Sequence, residues 1–271
     1  MQSTPPLVLT FSATDPTAGA GLQADLLAIS ALGGHAVNVV TGLTAQNTVG
    51  VQRFEPCAAD WVNDQLDCLI ADGLAPKAMK VGVLGSKAAV DAVLRAKRLW
   101  PAAPLVLDPV RASGRGDAFA QSELFDYMRR ELFGVVDVLT PNWPEALAFS
   151  GLAENSSVND VGQALLVMGS RNVLLKGEHL PSSQVVNRLF EASGKVTAYT
   201  CERLPGQYHG SGCTLASACA AGLAHGLSHA NAVSAALDFT WRALQQGVAL
   251  GQGQLIPRRF EGTQPFEGVT G

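Results

Sequence analysis

The chain has 271 residues, of which 47% are hydrophobic and 15% charged, the composition of a compact globular protein large enough for one α/β domain or two small ones. Its net charge of −4, with no basic cluster, gives no reason to expect nucleic acid or an anionic membrane as a partner. Five cysteines (Cys57, Cys68, Cys201, Cys213, Cys219) form no CxxC pair and suit a reducing compartment better than a disulfide framework. The start of the chain has no basic region or cleavage site, and its first apolar run is too short for a signal peptide or a bilayer span. Together these features predict a cytoplasmic protein.

Short apolar runs alternate with longer helical patterns, the signature of parallel βαβ units. A strand at 7–11 leads through a small-residue turn into a helix at 20–32. That turn fits neither the GxGxxG nor the Gly-Lys-Ser/Thr phosphate loop. A strand at 36–41 runs toward Thr44-Ala45-Gln46-Asn47-Thr48 and is followed by a helix at 60–72. The strand at 78–81 carries Lys80 and precedes a helix at 87–99, and the strand at 105–107 ends at Asp108-Pro109. Past a Gly-rich stretch with Arg111 and Arg115, a helix at 122–132 and a strand at 135–139 lead to Thr140-Pro141-Asn142. A helix at 143–150 bearing Glu145, a helix at 158–168 and a strand at 172–175 then end at Lys176-Gly177.

From there the order changes. Segments 184–190 and 195–201 predict a β-hairpin turning at Ala192-Ser193-Gly194 and adding antiparallel strands at a sheet edge. Helices at 213–225 and 231–250 close the pattern. No repeat or linker divides the chain, so one domain over 1–271 is expected, with 260–271 loosely ordered. Open α/β sheets bind ligands outside the carboxyl ends of their strands, and five strands here deliver a polar residue to that edge.

The most informative segment is Tyr208-His209-Gly210-Ser211-Gly212-Cys213-Thr214. A Gly-Ser-Gly bend before an apolar helix leaves backbone N–H groups unpaired at the positive end of the helix dipole, a seat for phosphate. Cys213 stands where a helix N-terminus lowers a thiol pKa, to about 7 or below. A phosphate seat and an activatable base in one turn predict phosphoryl transfer. His209 beside a thiol also admits a Cys/His hydrolase, but no acyl-site oxyanion pattern accompanies it. Cys57, Cys68 and Cys219 read as buried apolar residues, and the histidines lack the spacing of a structural metal site.

Seven collinear segments carry a resemblance. They are Asp15-Pro16-Thr17-Ala18-Gly19-Ala20-Gly21-Leu22-Gln23-Ala24-Asp25, Ala45-Gln46-Asn47-Thr48, Lys80-Val81-Gly82, Leu107-Asp108-Pro109-Val110, Thr140-Pro141-Asn142-Trp143-Pro144-Glu145-Ala146, Leu175-Lys176-Gly177 and His209-Gly210-Ser211-Gly212-Cys213-Thr214. Together they resemble the ribokinase superfamily and, within it, the hydroxymethylpyrimidine/phosphomethylpyrimidine kinases of thiamin biosynthesis. The resemblance implies a three-layer α/β/α fold with a mostly parallel sheet and a small antiparallel edge hairpin. It also implies ATP-dependent phosphorylation of 4-amino-5-hydroxymethyl-2-methylpyrimidine to its monophosphate and then its diphosphate, with ATP and magnesium as cofactors and a homodimer as the assembly.

Residue by residue, the resemblance makes Gly210, Ser211 and Gly212 the anion hole and Cys213 the base. Gln46 reads the aminopyrimidine edge, with Asp25, Gly21 and Val110 as further substrate contacts. Lys176, Asn142 and Thr214 face the nucleotide. Asn142 and Glu145 organise magnesium through water, with Asp108 a further candidate. Three positions depart from the family pattern: Ser12-Ala13-Thr14 before Asp15, Glu178 where a second Gly is common, and Tyr208 where Thr is usual. Pyridoxal or pyridoxine kinase shares nearly all these motifs and is the alternative, ahead of a catalytically silent pyrimidine sensor. A sugar kinase is disfavoured by Cys213 standing where those enzymes carry Asp.

Overall fold

The computed structural model describes residues 4–110, 122–180 and 182–260. Its strands are β1 (Leu7–Ala13), β2 (His35–Gln46), β3 (Val51–Pro56), β4 (Ala78–Val81), β5 (Leu105–Leu107), β6 (Val138–Leu139), β7 (Asn172–Leu175), β8 (Gln184–Glu191) and β9 (Val196–Glu202). Its helices are α1 (Gly21–Ala31), α2 (Ala59–Ala71), α3 (Lys87–Leu99), α4 (Ser122–Leu132), α5 (Trp143–Ser150), α6 (Val158–Val167), α7 (Ser211–Ala224) and α8 (His229–Gln245).

The strands form one sheet of nine in the order β3-β2-β1-β4-β5-β6-β7-β8-β9. Pairing is parallel from β2 through β7 and antiparallel at both margins, β2 with β3 and β7 with β8 with β9. The central strands read as mostly apolar runs because both of their faces are covered, interrupted by Thr10 and Ser12 in β1 and Lys80 in β4. Alternation along each strand divides the core into two clusters. Leu9, Phe11, Met79, Val81, Leu105 and Leu107 pack against α2 through α6. Val8, Ala78, Val106 and Leu174 pack against α1, α7 and α8. This is the expected three-layer arrangement.

Local signals set the helix starts. The Ser86 hydroxyl accepts the Ala89 N–H at 3.2 Å ahead of α3, whose Val90, Val93 and Ala96 form the stripe that meets the sheet. A reciprocal capping box at Asn142 and Glu145 starts α5, and left-handed Gly151 ends it.

Four differences from the sequence reading have physical reasons. β2 runs on to Gln46 and folds back as β3, a strand the pattern missed because Gln52, Arg53 and Glu55 sit on an exposed edge without an apolar face. The 135–139 strand is only Val138–Leu139, preceded by a single tight helical turn at Phe133–Val135. α7 begins at Ser211, so Cys213 lies inside its first turn. α8 stops at Gln245, and the chain then turns back so that Val248 pairs with Ile256. Among the described residues no helix is long and apolar enough to cross a membrane. The 260–271 tail lies, but for Phe260, outside the described residues, as do Arg111 and Arg115.

Candidate active site

The alternation that divides the core also aims the polar side chains. Lys80 follows Met79 with opposite parity, Asp108 shares the parity of Val106, and Lys176 shares that of Leu174, so all three point toward α7. Lys80 is fully buried, and Asp108 and Lys176 are nearly so. They lie at the carboxyl ends of the parallel strands, on the floor of a cleft of about 1710 Å³.

α7 packs over β1, β4 and β5, between the β2 and β8–β9 parts of the sheet. Toward β2 the lining includes Thr44 and Gln46, with Gly21 at the start of α1 and Val110 after β5; toward β8 and β9 it includes Asn187, Tyr199 and Arg203, with Leu237 and Trp241 from α8. Ahead of α7 the backbone turns at Gly210, which is left-handed with φ 77° and serves as the helix N-cap without a side-chain cap. The first helical bond is Thr214 N–H to Gly210 carbonyl at 2.9 Å. The main-chain N–H groups of Ser211, Gly212 and Cys213 therefore have no intrahelical acceptor. Lys176 closes the seat: a Cβ built on Gly212 would stand 3.0 Å from its Nζ and 3.4 Å from Asp108 Oδ2. The Lys176 ammonium is itself 3.4 Å from Asp108 Oδ1. Uncapped amides, a helix end and an ammonium together suit a phosphoryl group.

Cys213 lines the same cleft, but its thiol behaves differently from the sequence expectation. Burial pushes it up to about 11, Lys80 pulls the other way, Asp108 and Asp25 push it further up, and a hydrogen bond from the Gly21 main chain favours the thiolate. The helix end argued from sequence is outweighed by burial and two carboxylates that the sequence did not place beside it. Cys213 is a neutral thiol at neutral pH. Of the other cysteines, Cys219 is buried as expected, whereas Cys57 is partly buried and Cys68 exposed.

Beneath the cleft lies a network that sequence reasoning missed as a unit. Lys80 Nζ stands 2.7 Å and 2.8 Å from the two Asp25 oxygens and 3.1 Å from Ser12 Oγ. Ser12 also donates to Asp25 Oδ2, and Ser217 donates to Asp25 Oδ1 at 2.7 Å. Burial would lower the Lys80 pKa, but the Asp25 carboxylate, with Asp108 behind it, outweighs burial and holds the ammonium. Asp25 is fully buried with both oxygens engaged, so the structure places it behind Lys80 and Ser12 rather than in the cleft wall. Thr214 is corrected in the same way. It is fully buried, its hydroxyl donates to Gly210 carbonyl at 2.8 Å, and it does not line the cleft.

His209 does not pair with Cys213. Its Nε2 meets Asp15 Oδ2 at 2.8 Å. Asp15 also accepts the N–H groups of Thr17 at 2.9 Å and Ala20 at 2.7 Å. Burial works against this carboxylate, but the His209 bond and the two main-chain bonds hold its pKa below the ordinary value. The signal was present in the sequence as a single Asp ahead of a small-residue loop, and only the fold shows its partner.

Asn142 and Glu145 line the cleft, and their capping box uses one oxygen of each. Burial pushes Glu145 up to about 7, with Lys176 pulling it down and Asp108 and Glu178 pushing it up. Burial also opposes the Glu178 carboxylate, but His179 and Lys176 outweigh it and hold it below the ordinary value. Three carboxylates thus surround one lysine, an excess of negative charge that a divalent cation would neutralise. Among the described residues no cluster of three or more His, Cys, Asp or Glu is arranged to hold a metal. A cation here would take few protein ligands, Glu145 and Asp108 foremost, and complete its shell with water and phosphate oxygens.

The family profile described as phosphomethylpyrimidine kinase matches residues 15–257. A hydroxymethylpyrimidine/phosphomethylpyrimidine kinase of Streptomyces coelicolor is 38% identical over 253 residues, covering 92% of this chain and 93% of that protein. A probable chloroplastic thiamine biosynthetic bifunctional enzyme of rice is 34% identical over 258 residues, 93% of this chain, which spans only 47% of that protein. Among solved structures, the pyridoxal kinase of Staphylococcus aureus in complex with AMP-PCP and pyridoxal superposes with a TM-score of 0.85 at 25% identity. That superposition covers 95% of this chain and 94% of that one.

Proposed function

The chain belongs to the phosphomethylpyrimidine kinase family, and from that membership we propose that its cleft carries ATP-dependent phosphoryl transfer to 4-amino-5-hydroxymethyl-2-methylpyrimidine and then to the resulting monophosphate. The observation that carries this reading is the uncapped first turn of α7, with Lys176 beside Gly212 and Cys213 in the same turn. Phosphoryl transfer spreads charge over three equatorial oxygens, so catalysis is mostly positioning and charge neutralisation. Here the Ser211, Gly212 and Cys213 amides and the Lys176 ammonium neutralise that charge. The pyrimidine takes the Gln46 side of the cleft and the nucleotide the β8–β9 and α8 side, where Asn142 and Lys176 meet its phosphates. The Gln46 amide both donates and accepts, as a ring nitrogen beside an exocyclic amine requires.

Cys213 lies where the substrate hydroxyl must lose its proton. A loose transition state demands that proton late, so the sulfur accepts it only as the thiol's own proton passes to an oxygen of the transferring phosphate, leaving Cys213 a thiol as it began. Magnesium, when bound, supplies further neutralisation of the phosphate charge, and Glu145 and Asp108 are its protein contacts in this proposal. Lys80 and Lys176 are the described ammonium groups nearest the turn and serve a second, phosphate acceptor. We place this chemistry in a single kinase domain in the cytoplasm, as the composition and unbroken pattern lead us to expect, and in a homodimer, as the resemblance implies.

The test is a nucleotide-consumption assay with magnesium and ATP, comparing the hydroxymethylpyrimidine with pyridoxal and resolving products by mass. A pyrimidine monophosphate followed by a diphosphate is the expected result. Turnover of pyridoxal alone would move the assignment to the reading favoured by the pyridoxal kinase superposition.

A further inference from the structure

The residues after α8 form a strap across the site. Gln254 N–H bonds Thr48 carbonyl at 2.8 Å, Leu255 N–H bonds Gln207 carbonyl at 2.9 Å, and Leu255 carbonyl accepts His209 N–H at 2.9 Å. Arg258 N–H bonds Ala243 carbonyl at 2.9 Å. These bonds fix the backbone on several sides and deliver the next side chain, Arg259, into the interior, where it is 3% exposed.

The guanidinium there has three partners on two separate segments. Nη1 donates to Ala18 carbonyl at 3.0 Å, Nη2 donates to Gly19 carbonyl, and Nε donates to Thr214 Oγ1 at 3.0 Å. Thr214 Oγ1 in turn donates to Gly210 carbonyl, the N-cap of α7. Ala18 is the one described non-glycine residue with positive φ, at 57°, a conformation that needs outside support. The loop it belongs to rests directly on the anion seat: a Cβ on Gly210 would fall 1.9 Å from Gly19 carbonyl. The same loop ends at Gly21, whose N–H reaches the Cys213 thiol.

We infer that Arg259 is a positioning residue for phosphoryl transfer, its guanidinium locking the 18–19 loop onto the first turn of α7 so that the anion seat and Cys213 keep one geometry. The inference about rate rests on the kinase reading above; the locking itself does not. Three acceptors in divergent directions need the planar fork of arginine, and the single ammonium of lysine cannot serve them together.

The test compares wild type with Arg259→Ala and Arg259→Lys by amide hydrogen exchange and by steady-state kinetics. Exchange should quicken in residues 17–21 and at Thr214 of both variants while α3 keeps its protection. The kcat should fall about 100-fold in Arg259→Ala, the scale of a misplacement of about 1 Å, with the KM for ATP little changed. Arg259→Lys should recover little of this, and added guanidinium ion should restore part of the Arg259→Ala rate. A folded Arg259→Ala with wild-type kcat overturns the inference, as does full activity in Arg259→Lys or a kcat loss without local exchange change. If the wild type itself fails to phosphorylate the pyrimidine, the kinase reading falls, and the exchange data alone decide whether Arg259 locks the loop.

Discussion

The thiol of Cys213 sits inside the first turn of a helix, where the backbone favours an anion, yet burial and the nearby Asp108 and Asp25 hold its proton on. Peptide-resolved labelling with iodoacetamide should therefore give Cys213 an alkylation midpoint near about 11, whereas a midpoint near about 7 would restore the activated thiolate expected from sequence. Cys213→Ala should slow transfer by about 100-fold or more without abolishing it, since the amides and Lys176 remain. Glu145 gives a prediction of opposite use. Its folded pKa of about 7 lies above the ordinary 4.5, so it contributes stability below the ordinary value and loses it as pH rises through 7. Wild type should lose stability relative to Glu145→Gln across that window in denaturant titrations. The magnesium dependence of activity should strengthen over the same window as the carboxylate ionises. Parallel pH curves for wild type and variant would contradict both.

At the scale of elements, the N-terminus of α7 and the 14–20 loop behave as one piece. Gly210→Ala must place a Cβ against Gly19 carbonyl in a left-handed residue, and it should cost more than about 2 kcal/mol in denaturant unfolding as well as most of the turnover. Beneath them, Lys80→Met strands a buried Asp25 carboxylate. It should cost about 3–5 kcal/mol, while Lys80→Met with Asp25→Leu should recover much of that loss. An additive double variant would mean the pair is not coupled. The long periodic helices and the buried parallel strands were legible in the sequence because one physical force, burial on a face, writes their pattern. β3 was not, because an exposed edge strand carries no such pattern. The uncapped turn into α7 was legible because its left-handed N-cap favours glycine. The Asp15–His209 and Arg259 contacts join residues 194 and more than 200 positions apart, and no local spacing records them. Nor did it record that Asp25 and Thr214 would turn inward to partners of their own.

For the whole molecule, a nine-stranded sheet with helices on both faces gathers the carboxyl ends of its parallel strands along one cleft that the N-terminus of α7 also lines. The cleft extends to both sides of that terminus, so pyrimidine and nucleotide should bind together rather than compete. Each ligand at about 100 times its Kd should add about 2.7 kcal/mol, a rise in Tm of several degrees, and the two increments should sum. A second ligand that adds nothing would indicate overlapping sites. The measurement that bears most directly on the central claim, that the first turn of α7 with Lys176 holds the group in transit, is a single-turnover experiment with magnesium, ATP and the hydroxymethylpyrimidine. It compares wild type with Lys176→Met. The transfer step should slow by at least about 100-fold while calorimetry still shows pyrimidine binding. Transfer at the wild-type rate in a folded Lys176→Met protein would contradict that claim.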